Sequence, residues 1–143
     1  MRIWLRPARI EDADAVAQLL GELGYPTQAA DARLRLERLL EKPDAGALVA
    51  ELGGELVGLA TFLVFDLVYR PRPECRLTAL VVGARHRRRG VGSALVSAVE
   101  AIARGRGCFR LELNTQPGRS DASAFYAARG FAERPRRLVK MLD

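Results

Sequence analysis

The segment from Leu80 to Leu95 constrains the fold more than any other part of the chain. An apolar run, Leu80-Val81-Val82, passes through Gly83-Ala84 into Arg85-His86-Arg87-Arg88-Arg89, then Gly90-Val91-Gly92-Ser93. Beyond it Leu95, Val96, Val99, Ile102 and Ala103 recur at helical spacing and make one apolar face. A strand therefore enters a glycine-started amphipathic helix through a tight basic turn. Glycine at a helix start lets the main chain approach a ligand closely, and the first-turn N–H groups have no partner inside the helix. Such a terminus suits a phosphate or pyrophosphate.

The rest of the chain reads as alternating elements around that segment. Arg2 to Ala8 alternates as a short strand, and a helix from Glu11 carries Val16, Leu19, Leu20 and Leu23 on one face before Gly24-Tyr25-Pro26 stops it. Thr27 is placed to cap a second helix running to about Glu41. Ala47 to Leu52 and Glu55 to Phe65 flank Gly53-Gly54, a hairpin signal. After the proline-interrupted loop Arg70-Pro71-Arg72-Pro73 comes a strand from Cys75 to Val82. Phe109 to Asn114 alternates as a strand, and Ser120 or Asp121 is placed to cap a short helix to Arg129, closed by Gly130. Phe131 to Leu142 is expected as two short strands turning at Arg134-Pro135. The order predicts an α+β fold, an α/β mixed sheet with helices on both faces, in one domain over residues 1–143.

Composition narrows the function classes. The 143 residues are 49% hydrophobic and 28% charged, too apolar for a disordered chain. The longest apolar run, Leu59 to Phe65, is far below the roughly 20 residues of a membrane span, and the start has no signal-peptide pattern, so a cytoplasmic protein is expected. Two cysteines, Cys75 and Cys108, and one histidine, His86, fall short of the usual zinc sets, so no metal is expected and both thiols are expected reduced. The net charge of +6 calls for an anionic partner. Lys occurs only at Lys42 and Lys140, so the positive charge is nearly all Arg, which composition bias alone would also produce.

Neither common nucleotide loop is present. No Lys follows Gly92 as a P-loop requires, and the dinucleotide fingerprint needs its glycines earlier, with an acidic residue on the next strand. The segment instead fits Arg-x-x-Gly-x-Gly at Arg87, Gly90 and Gly92. Here the chain resembles the GNAT superfamily of acetyl-CoA-dependent N-acetyltransferases. Leu5-Arg6-Pro7-Ala8 with Asp12-Ala13 and Leu23-Gly24-Tyr25-Pro26 resembles that family's first strand and helix. Ala124-Phe125-Tyr126-Ala127-Ala128-Arg129-Gly130-Phe131 resembles its late Phe-Tyr…Gly-Phe motif.

The resemblance implies a GNAT-like acyl-CoA N-acyltransferase fold, a mixed and mostly antiparallel central sheet flanked by about four helices. It implies acetyl-CoA as co-substrate, with Arg87, Arg88, Arg89, Gly90, Val91, Gly92 and Ser93 at the pyrophosphate. Leu80, Val81 and Val82 would align the pantetheine, with the Val82 N–H polarising the thioester carbonyl. Asn114 would touch the pantetheine, and Tyr126 would meet the CoA sulfur as general acid. Where relatives often carry an acidic residue, two before Leu80, this chain has Thr78, so Glu112 or Glu74 becomes the candidate base, with a water chain as the alternative. The acceptor, a primary amine of a small molecule or peptide, would lie against Tyr25, Tyr69, Arg70 and Arg72. Members are often dimers, which makes a second copy of the chain a candidate partner.

Two other classes compete. The turn from Arg85 to Arg89 would serve a nucleic-acid-binding module, but stacking aromatics are missing between Tyr69 and Phe109. A family member that binds acyl-CoA without turnover is the third reading.

Overall fold

A computed structural model of the chain describes residues 2–115, 120–134 and 137–143. Met1–Leu113 form one compact unit and Asn114–Asp143 another. The first unit runs β1 (Ile3–Pro7), a 3-10 turn, α1 (Ala13–Leu23), α2 (Ala29–Leu40), β2 (Ala45–Leu52), β3 (Glu55–Phe65) and β4 (Glu74–Val82). It ends with a second 3-10 turn at Ala84–His86, α3 (Val91–Gly105) and β5 (Leu111–Leu113). The second unit contains α4 (Ser120–Ala127).

One five-stranded sheet has its strands in chain order. Neighbours are antiparallel from β1 to β4, and α3 is the crossover that makes β5 parallel to β4. Gly53 and Gly54 have φ of 60° and 83°, the two positive values a tight two-residue hairpin demands. The mixed sheet and its mainly antiparallel pairing are as expected.

Helices cover both faces. On one, Val16, Leu19, Ala32 and Leu36 of the first two helices pack with Ala47, Val49, Leu59 and Val81. On the other, Gly58 lets α3 lie close: a Cβ there would come within 2.9 Å of Val91 and 3.0 Å of Leu95. Gly24, at φ 109°, ends α1 while the Tyr25 N–H bonds the Leu20 carbonyl at 2.8 Å.

Register shifts alter the simple alternation. Thr61 pairs with Ala79 and Phe62 with Leu77, leaving Thr78 as an extra residue, a β-bulge in β4. Cys75 and Leu77, opposite Val64 and Phe62, therefore share the α3 face, while Val81 joins the α1–α2 core. Glu74 and Arg76 stand with Phe65 and Leu63 on the α1–α2 side.

Four local expectations change. Thr27 does not cap α2, since its hydroxyl donates to the Tyr25 carbonyl at 2.6 Å and Gln28 occupies the N-cap without a side-chain bond. Asp12 precedes α1 in the first 3-10 turn and accepts two bonds from Arg6 at 2.8 Å. The Arg6 guanidinium holds its carboxyl below the ordinary range. β5 is limited to three residues, because Phe109 already bonds the Pro73 carbonyl through its N–H at 3.0 Å, ahead of the ladder. The two strands expected over Phe131 to Leu142 are not formed among the described residues there. Leu138, Val139, Met141 and Leu142 are exposed, and no ladder among the described residues includes them. Pro135 of the expected turn lies outside the described residues, as do the α4 capping position before Ser120 and the Ser120 and Asp121 side chains.

Candidate active site

The start of α3 is built by backbone geometry. Gly90 is its N-cap in the left-handed region, φ 84°, and brings no capping side chain of its own to the first turn. Arg88 has φ 64° and is the one non-glycine residue with positive φ among those described. Such a conformation costs about 1 kcal/mol or more and persists only where its surroundings hold it. Left-handed residues at Arg88 and Gly90, two apart, turn the main chain sharply into the start of α3.

The approach to that turn is held on both sides. Glu22 of α1 accepts the Ala84 N–H at 3.0 Å, and the Gly83 N–H bonds the Val57 carbonyl at 2.8 Å. Glu55 meets Arg85 Nη2 at 3.3 Å and His86 Nε2 at 3.1 Å. Arg87 Nε donates to the Val82 carbonyl at 3.4 Å. Val91 is buried and anchors the helix, while Arg87, Arg88 and Arg89 are exposed. Arg85 and His86 are thus engaged with Glu55, and the next three arginines are exposed at the glycine-started helix. This cradle fits a polyphosphate by both charge and backbone.

Beside it the sheet opens. β5 pairs with β4 only from Cys75 to Leu77, and Leu80, Val81 and Val82 continue past the last β5 partner. Leu80 and Val82 are half-buried opposite Ala60 and Gly58. An extended β4 without its parallel neighbour presents main-chain groups to a ligand running beside it.

The two candidate carboxylates come together. Glu74, 2% exposed, accepts Arg110 Nε at 2.6 Å, and Glu112 accepts Arg76 Nε at 2.6 Å. Burial, and then the hydrogen bond to Glu112, push the Glu74 carboxyl up. Burial also acts to raise Glu112, but hydrogen bonds with Glu74 and Arg76 outweigh it and hold that carboxyl down. Glu74 is six residues before Leu80, about 20 Å at a strand's rise, and Glu112 stands opposite Arg76, about 13 Å along the strand. The cluster therefore clasps the joined end of β4 and β5.

The remaining candidates are spread over loops and the second unit. Tyr25 is exposed on the α1–α2 connection. Tyr69, Arg70 and Arg72 lie on the β3–β4 connection, with the Arg70 guanidinium 5.6 Å from the Tyr69 ring and 5.2 Å from that of Phe109. Asn114 and Tyr126 belong to the second unit. There the Tyr126 ring meets Phe125 and Phe131 edge-on at 5.2 and 5.5 Å, and its carbonyl accepts the Phe131 N–H at 3.1 Å. Gly130, at φ 89°, closes that turn. Both cysteines are free thiols, and burial pushes Cys75 up to about 11. No helix among the described residues is long and apolar enough to cross a membrane.

The sequence reading missed the Thr61–Thr78 contact, Oγ1 to Oγ1 at 2.7 Å, because it depends on the bulge. The Glu22–Ala84 tie was equally absent from any motif.

Comparisons with known proteins agree with this architecture. The chain is 36% identical over 99 residues to an aminoglycoside N(6')-acetyltransferase type 1 of Klebsiella aerogenes, covering 64% of this chain and 62% of that protein. It is 31% identical over 93 residues to N-acetyltransferase 8F1 of Rattus norvegicus, covering 65% of this chain and 42% of that protein. It thus spans less than two thirds of the length of either relative. The fold matches a GNAT family acetyltransferase from Staphylococcus aureus with a TM-score of 0.84 at 21% identity, over 99% of this chain and 100% of that one. The model of the acetyltransferase (GNAT) family matches residues 13–131, and the chain belongs to that family.

Proposed function

We propose that the chain is a cytoplasmic, acetyl-CoA-dependent N-acetyltransferase that moves the acetyl group directly to a primary amine of a small molecule or peptide. One observation carries this reading: the strained Arg88–Gly90 turn and the glycine-started α3 stand beside the stretch of β4 that β5 leaves open. The family match crosses the boundary between the two compact units, which supports one acetyltransferase domain over residues 1–143.

In this mechanism Arg87, Arg88 and Arg89 with the amides from Gly90 to Ser93 bind the pyrophosphate. Leu80, Val81 and Val82 orient the pantetheine arm, with Asn114 beside it, and the Val82 N–H polarises the carbonyl. Acetyl-CoA supplies the activated thioester. The amine lone pair forms the C–N bond while the C–S bond breaks with its electrons going to sulfur. One proton leaves nitrogen through water, and Tyr126 delivers one to sulfur, so the charges balance. Positioning accounts for most of the rate. Glu74 of β4 and Glu112 of β5 are each held by an arginine, and a water chain takes the place of a direct carboxylate base. Tyr25, Tyr69, Arg70 and Arg72 line the acceptor side, and a second copy of the chain is a candidate partner.

Thermal shift with acetyl-CoA, followed by thiol release over an aminoglycoside, a polyamine and a peptide with a free N-terminus, tests the proposal. A raised melting temperature and thiol release with one amine are expected. Absence of any shift sinks it, and a shift without release points to acyl-CoA binding without turnover. Salt-sensitive oligonucleotide binding in a protein indifferent to CoA would mark a nucleic-acid module instead.

A further inference from the structure

Thr78 is singular in three ways at once. It is the extra residue of the β4 bulge, it is the first β4 residue beyond the last β5 pair at Leu77–Leu113, and it is exposed. Its hydroxyl lies 2.7 Å from that of Thr61 on the neighbouring strand. Both hydroxyls sit where the sheet begins to open, two residues or about 7 Å before Leu80. Glu74 and Glu112, the carboxylates of β4 and β5, lie along the paired stretch and are held by Arg110 and Arg76.

A cross-strand threonine pair in a regular ladder has a sufficient structural role. Here the bulge has already interrupted the ladder, and the exposed pair keeps unused capacity. The mutual bond consumes one hydroxyl proton, leaving one O–H and several lone pairs. Neutral hydroxyls cannot deprotonate an ammonium, but they hold an amine N–H or an adjacent water in a fixed direction.

We propose that the Thr61–Thr78 hydroxyl pair, at the bulge where β4 parts from β5, positions the acceptor amine for attack. This deepens the acetyltransferase reading and rests on it. The pair accepts a hydrogen bond from the amine N–H, which aims the nitrogen lone pair along the opened β4. The C–N bond then forms as the C–S bond breaks, and the nitrogen's proton leaves through water, with no net proton gained by either threonine. Thr61 and Thr78 are thus positioning residues, and the ligand they take is a neutral amine.

Steady-state kinetics on Thr78→Val, Thr61→Val and Thr78→Ser test this, using whichever of kanamycin, spermidine or a free-N-terminus peptide the wild type turns over fastest. Each valine variant is expected to lose about ten-fold in kcat, the loss of one aligned hydrogen bond. The acetyl-CoA Kd and Tm should stay at wild-type values, and Thr78→Ser should recover most of the rate. A tie that only fastens the strands would move Tm and leave kcat unchanged, which overturns the proposal while the acetyltransferase reading stands. Loss of acetyl-CoA affinity in the valine variants overturns it as well. Wild type that binds acetyl-CoA but acetylates none of the three amines overturns both readings.

Discussion

Glu22 in the last turn of α1 accepts the Ala84 amide at 3.0 Å, joining the first helix to the turn that leads into α3. Without a carboxylate there, that amide and the strained turn after it lose an anchor. Glu22→Ala is expected to raise the acetyl-CoA Kd about three- to ten-fold, as for one exposed hydrogen bond, while Tm changes little because the site is exposed. Glu22→Gln keeps an acceptor and should fall between. Titration calorimetry on the three proteins reads this, and equal affinities would show that the turn holds itself.

Gly92 lies in the first turn of α3, where an acidic side chain favours the helix and repels a phosphate. Gly92→Glu separates the two effects. Tm without ligand should hold or rise slightly, whereas the acetyl-CoA-induced shift should vanish and the KM for acetyl-CoA should rise more than about ten-fold. An unchanged KM would refute the pyrophosphate assignment.

Much of this site was legible before the structure. Gly53-Gly54 and Gly90 are visible because positive φ is a property of one residue, and the α3 face because its period is local. Thr78 was not, since a bulge exists only in the match between two strands and its sequence looks like plain alternation. Glu74 and Glu112 read as candidate bases, and their clasp with two arginines was not legible because it is set by parallel pairing of residues 36 apart. The last strands were over-read: Leu138, Val139, Met141 and Leu142 suit a strand locally, but pairing needs a neighbour that composition does not reveal.

Glu74 should make stability depend on pH. Its carboxyl is pushed above the ordinary 4.5 by burial, so the folded state holds a proton that the unfolded chain releases. Stability is full below 4.5 and declines as pH rises toward the raised value, by up to about 1.4 kcal/mol per pH unit. Glu112, held low, acts the other way and only on acidification below 4.5. Glu74→Gln donates to Glu112 and accepts from Arg110 without needing that proton. Urea unfolding between pH 5 and 8 should slope downward for wild type and run flatter for the variant. Parallel slopes would move the effect to another group.

Tyr126 is held in the second unit by ring contacts with Phe125 and Phe131 and by the turn its carbonyl closes, so its place does not depend on the hydroxyl alone. Tyr126→Phe keeps the ring and removes the proton donor. As general acid to the CoA sulfur, the tyrosine is expected to supply about ten- to hundred-fold in kcat, with the KM for acetyl-CoA nearly unchanged. The loss should shrink with an acetyl thioester of a more acidic thiol, because a better leaving group needs its proton less. Equal loss with both thioesters would make the hydroxyl a positioning group, and full activity in Tyr126→Phe would leave protonation of the thiolate to water.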